Sequence, residues 1–96
     1  MKDKIKKARK ASYKRIARRN RESVARYLEK HPCVDCGEQD IRLLEFDHVR
    51  GNKSATVSSL KSRNYSIKKI MEEIEKCEVR CVRCHRLVTL ERLSSN

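Results

Sequence analysis

Apolar residues fall into distinct regimes along the chain. From Lys2 to Lys30 they are sparse: Ile5, Ala8, Ile16, Ala17, Val24, Tyr27 and Leu28 stand among Lys, Arg, Ala and Glu, with no Gly or Pro. Good helix formers without a breaker predict one long helix. Only its Val24–Leu28 end is apolar enough to dock, and the first half has too little apolar surface to hold itself without a partner. Beyond His31-Pro32 the periods change. Leu44, Glu45, Phe46 and Asp47 alternate and predict a strand that runs into a turn at Val49-Arg-Gly-Asn52. Ile67, Ile70, Met71 and Ile74 recur at i, i+3, i+4 and i+7 behind Ser66, predicting an N-capped helix from Ile67 to Lys76 whose apolar stripe is core. Glu78-Val-Arg80 reads as a second short strand. Val82 to Leu93 reads as a final helix with Leu87, Leu90 and Leu93 facing inward. The order strand, long excursion, strand, helix predicts a small α+β module behind a helical arm.

Charge sharpens that division. The 96 residues carry a formal charge of +12. Residues 1–30 hold thirteen Lys/Arg against three acids, so +10 of the excess lies in the arm. Residues 31–96 are nearly neutral, and proline after His31 disfavours helix there. The expected organisation is a basic arm, 1–30, and a module, 31–96. A one-sided cationic helix suits a polyanion: Lys and Arg displace condensed counterions from phosphates in a sequence-independent, salt-sensitive way. Lys6, Lys10, Lys14, Arg15, Arg18 and Arg19 of the arm, with Arg50 and Arg86 of the module, are the candidate DNA contacts. The bland alternative for such a charge run is a solvated helix that only aids solubility.

With one Phe, no Trp and 40% charged residues, a large core is out of reach. Small polar chains usually need a staple. The N-terminus shows no signal-like apolar stretch, and nothing approaches the ~18 apolar residues of a membrane span. A soluble, cytoplasmic chain is therefore expected. Thiols stay reduced there, and the count of five cysteines is odd, so they read as metal ligands rather than disulfides. Cys33-x-x-Cys36 and Cys81-x-x-Cys84 form two knuckles, the usual four-thiolate zinc arrangement. The 44 residues between them exceed an ordinary zinc-ribbon gap and must hold structure of their own. Cys77 is the spare, expected as a small buried hydrophobe. His31 is expected as a solvated helix-end residue rather than a ligand.

A second constellation lies inside this frame. Asp47 and His48 are adjacent, and neighbours in a strand point to opposite faces, so a division of labour is expected. Asp47, a hard oxygen ligand, would join His85 in holding a divalent cation such as Mg2+, Mn2+ or Ni2+. His48 would serve as a general base. His85, Thr89 and Arg92, at i, i+4 and i+7, share one face of the last helix.

Together, Cys33-Val-Asp-Cys36-Gly, Leu44-Glu-Phe-Asp-His48-Val-Arg-Gly51, Glu73-Ile-Glu-Lys-Cys77-Glu-Val-Arg-Cys81-Val-Arg-Cys84-His85-Arg86 and Thr89 resemble small phage-type HNH endonucleases. These are ββα-metal nucleases with a four-cysteine zinc site, and the resemblance spans roughly residues 31–93. It implies metal-dependent cleavage of DNA phosphodiesters, with His48 as base, Asp47 and His85 as catalytic-metal ligands, and Cys33, Cys36, Cys81 and Cys84 on structural zinc. One position departs from the pattern. Where the family carries an Asn that orients the base histidine or shapes its loop, this chain has Glu75-Lys76-Cys77-Glu78, and Asn52 and Asn64 lie elsewhere.

The resulting expectation is a zinc-stapled HNH endonuclease that nicks double-stranded DNA, acting as a monomer or homodimer in the cytoplasm (the host's, if phage-encoded). The main rival is a non-catalytic zinc-ribbon DNA-binding module, accessory to a larger nuclease or phage packaging machine. An RNA-binding zinc ribbon is a more distant one.

Overall fold

The computed structural model describes residues 2–94, with side chains from Lys10 onward. A single helix, α1, runs over Lys2–Lys30. A 3-10 turn at Ile41–Leu43, capped by the Asp40 carboxylate on the Arg42 amide, leads into strand β1, Leu44–His48. Helices α2, Val57–Ser62, and α3, Ile67–Ile74, follow. Strand β2, Cys77–Cys81, then passes directly into α4, Val82–Ser94. The fold is a small α+β arrangement on one two-stranded antiparallel sheet. Its register pairs Leu44 with Cys81, Phe46 with Val79, and His48 with Cys77.

The sheet has two different faces because strand side chains alternate. Leu44, Cys77, Val79 and Cys81 are buried on one face, against Ile70 and Ile74 of α3, Val57 and Leu60 of α2, and Val24 and Leu28 of α1. Glu45, Asp47 and Arg80 occupy the other, beneath α4. The Ser66 cap forms as expected, its hydroxyl accepting from the Lys69 amide. The excursion also contains a helix not anticipated, α2, capped by Thr56 on the Ser59 amide. Asn64 closes it in the left-handed region, φ 56°.

The long helix docks over more of its length than its apolar residues suggest. Val24 and Leu28 enter the core as expected, so arm and module share one hydrophobic cluster. Further along α1, polar contacts continue the attachment. The fully buried Asn20 donates to the Tyr65 carbonyl at 3.0 Å. The Tyr13 hydroxyl donates to the Ser62 carbonyl, and the Asn64 amide donates to the Tyr13 carbonyl. Tyr13, Ala17, Asn20, Val24 and Leu28 share one helical face, and the end of α2 and the loop after it supply carbonyls to it.

The final helix corrects the sequence reading. Leu87, Leu90 and Leu93 do not face inward; they are exposed, Leu93 by 68%. The helix instead turns its polar stripe to the sheet, because the sheet face beneath it carries the buried Asp47 carboxylate. His85 and Arg92 approach that carboxylate, and Cys84 is the one buried residue of α4. An ionised group in that position needs cationic partners more than it needs leucines.

Candidate metal centre and active-site cleft

The four cysteines meet. The sulfurs of Cys33, Cys36, Cys81 and Cys84 lie within 4.8 Å of one another, with Cys36 exposed and the rest buried. Local geometry explains the convergence. The first knuckle is a tight turn in which Gly37 donates to the Cys33 carbonyl at 2.9 Å, and Gly37 adopts φ +80°, which costs glycine little. The Val34 amide ties this turn to the Val79 carbonyl of β2. The second knuckle straddles the β2–α4 junction, where the Cys84 amide donates to Cys81 Sγ.

The thiols are spread in acidity. Burial alone would raise Cys33, but backbone amides of Cys81, Cys36 and Asp35 outweigh it and bring the thiol down to about 6. Cys84 is pushed up to about 12, by burial and then by the neighbouring sulfurs. Thiols this crowded cannot all ionise unless a cation compensates them; such a cation holds them as thiolates. Arg83 lies against Cys36 and adds positive charge there. Four convergent sulfurs with amide donors suit zinc, which favours closed tetrahedral thiolate sites. The cluster could hold such a metal.

His31 is not part of this group. Its ring stacks on Tyr27 at 3.8 Å between centroids, and Nδ1 lies 2.7 Å from the Tyr27 carbonyl. Cys77 is a buried spare, as expected. Its thiol donates to the Glu73 carbonyl and, through burial and then the charges of Glu73 and Asp47, is raised to about 11.

Asp47, His48 and His85 are distributed as strand alternation requires. Asp47 is 3% exposed and faces α4. Its Oδ1 lies 3.5 Å from His85 Nε2. The same carboxylate accepts from Arg80 Nη1 at 2.7 Å and from both terminal nitrogens of Arg92, at 3.0 and 2.9 Å. Burial opposes its ionisation, but Arg92, His85 and Arg80 prevail and hold it below the usual carboxylate value. On its other side, His85 Nδ1 is 3.0 Å from Glu45 Oε1. Glu45 was not singled out in the sequence, although its i, i+2 spacing from Asp47 places it on the same strand face.

His48 points to the opposite face, where Nε2 lies 2.8 Å from Glu73 Oε2. A cavity of about 520 Å³ is nevertheless lined by both His48 and His85. Phe46 and Leu28 give it an apolar wall, and Lys53 and Lys61 bring cationic groups to it. The Asn residues of the excursion act elsewhere: Asn64 holds α1, and the Asn52 carbonyl accepts from Lys76 Nζ.

Lys10, Lys14, Arg15, Arg18, Arg19 and Arg86 are exposed, while the side chain of Lys6 lies outside the described residues. Arg19 donates to the buried Asn20. Arg50 is committed internally: its guanidinium donates to the Glu75 and Cys77 carbonyls and pairs with Glu78.

Among the described residues, no helix is long and apolar enough to cross a membrane. Comparison of the chain with protein-family models, with curated proteins and with solved structures finds no match. The class is thus defined by fold and site: a small α+β domain with a four-cysteine cluster able to hold a metal such as zinc.

Proposed function

We propose that this protein is a metal-dependent endonuclease of the HNH type that hydrolyses phosphodiester bonds in double-stranded DNA, one strand per encounter. The observation that carries this reading is that His48 and His85 line one cavity together, with Lys53 and Lys61 in its wall and a strongly basic helix beside it. Lysines at the cavity suit a phosphate. His48 takes a proton from water as the water oxygen bonds to phosphorus and the bond to the leaving sugar oxygen breaks. Oδ1 of Asp47 and Nε2 of His85, 3.5 Å apart, are a hard-oxygen and imidazole pair suited to a divalent cation, which would compete there with Arg92. Such a cation would supply charge neutralisation at the phosphate and the leaving oxygen.

A second reading rests on the same carboxylate. Two arginines already neutralise Asp47, which suits a zinc-stapled DNA-binding module with no catalytic cation. Plasmid nicking separates the two. Wild type with Mg2+, Mn2+ or Ni2+ is expected to convert supercoiled DNA to open circles, and His48→Ala to lose about 10²-fold or more in rate. If both leave supercoiled DNA intact in every metal while shifting it on a gel, the binding-module reading replaces the enzyme.

The arm has its own test. Lys10, Lys14, Arg15 and Arg18 are exposed, so their joint replacement by Gln leaves the core alone. Each lost phosphate contact removes about 0.9 from the slope of log affinity against log salt. The quadruple variant is therefore expected to bind DNA more weakly, with a slope flatter by about 3 to 4. An unchanged slope would show that the arm does not track phosphates.

A further inference from the structure

Glu73 is a carboxylate on the apolar side of α3. It is flanked by Ile70 and Ile74 and is only 2% exposed. A charge in that position is costly unless it is paired and hydrogen-bonded, and three donors converge on it. His48 Nε2 and the Ser54 amide reach Oε2, at 2.8 and 3.3 Å. Lys76 Nζ reaches Oε1 at 3.0 Å. Burial works against ionisation, but Lys76, His48 and Ser54 hold the carboxyl below its usual range, so it is an anion at neutral pH.

A carboxylate only accepts, so the imidazole nitrogen beside it must carry a hydrogen. We propose that Glu73 is the positioning residue for His48: it fixes the ring as the Nε2–H tautomer and reserves the Nδ1 lone pair for the proton of a nucleophilic water. This rests on the nuclease reading above and adds the residue that orients its base. Lys76 supports the arrangement from behind. Its ammonium also donates to the Asn52 carbonyl and Ser54 Oγ, so the loop after β1 and the carboxylate are held by one group.

The test is ¹⁵N–¹H long-range correlation NMR of the histidine rings in the full-length, metal-loaded protein at about pH 8.5, above the ordinary imidazole range, run beside plasmid nicking. Wild-type His48 is expected as Nε2–H. An Nδ1–H ring in wild type overturns the proposal without recourse to any variant. Glu73→Gln keeps an oxygen acceptor and is expected to retain the tautomer and most of the nicking rate. Glu73→Ala is expected to mix the tautomers and slow nicking at least about tenfold, the scale seen for outer partners of ligating histidines, with KM little changed. Lys76→Met disturbs the same loop but leaves the Glu73–His48 contact, so a tautomer mixed by Lys76→Met and not by Glu73→Ala would assign the effect to the loop and refute Glu73. Should wild type show Nε2–H, Glu73→Ala lose it, and neither nick DNA, the hold of Glu73 on His48 stands and the nuclease reading alone falls.

Discussion

Stripping the four-cysteine cluster with a chelator is expected to abolish the cooperative fold of residues 33–93, and adding zinc to recover it. The apolar core is small: beside the thiols it consists of Val24, Leu28, Leu44, Val57, Leu60, Ile70, Ile74 and Val79. Cys33, Cys81 and Cys84 are themselves among its buried members, so core and metal site occupy the same space. A two-stranded sheet is marginal alone, and the cluster adds to the Val34–Val79 and Arg80–Asp35 contacts in joining the 33–36 turn to β2 and its junction with α4. Structural zinc contributes on the order of 10–16 kcal/mol in small domains, as much as the whole stability of a typical domain, about 5–15 kcal/mol. Near-UV circular dichroism follows the loss directly, because Tyr27 packs near Phe46 in the fold, 6.0 Å between centroids. Titration should find one zinc per chain. A cooperative, native-like thermal transition in the chelated protein would contradict a structural metal.

Replacing Asp47 by Ala is expected to destabilise the fold by about 3 kcal/mol, the low end for breaking a buried ion pair. Without the carboxylate, Arg80 loses one of its acidic partners, and His85 and Arg92 lose the group that draws α4 onto the sheet. Arg92 is about half-exposed and can return to water, which keeps the cost from the upper end of the range. For a chain of this size the loss corresponds to about 12–24 °C in Tm. Asp47→Asn, which keeps an acceptor, should cost less. The carboxyl's folded value is depressed, so its stabilisation is fully present above the unfolded carboxylate value, near about 4, and is lost as pH falls through the folded one. Wild type should therefore lose stability on acidification below about pH 4, and Asp47→Ala should lack that share of the dependence. Equal Tm values for wild type and Asp47→Ala at neutral pH would show that α4 is held by something else.

How much of this was legible in the sequence depends on whether a signal is periodic. The cysteine knuckles, both strands and α3 with its Ser66 cap follow from spacing, and each appears within a residue or two of its expected bounds. Helix α2 was missed because six residues hold too few apolar positions to show a period, although Thr56 before Val57 was a usable cap signal. The leucines of α4 misled because apolar spacing says nothing about what the opposite surface offers, and here it offers a buried carboxylate. Asn20 and Tyr13 bond to backbone carbonyls some 45 and 49 residues away, a kind of contact that leaves no trace in composition. Glu73 did leave a trace: a carboxylate three residues after Ile70, on the buried stripe, requires a partner.

The attachment of α1 has a geometric consequence. Anchored through Tyr13, Asn20, Val24 and Leu28, the helix cannot pivot against the sheet. Lys10 precedes Val24, a residue of the cavity wall, by fourteen positions. At 1.5 Å per residue that is about 21 Å along the axis, or roughly six nucleotide steps of 3.4 Å. A duplex lying along Lys10, Lys14 and Arg18 would thus reach the cavity at a set offset from its first phosphate contact. On the proposed nuclease reading, the basic helix would serve as a ruler rather than a tether.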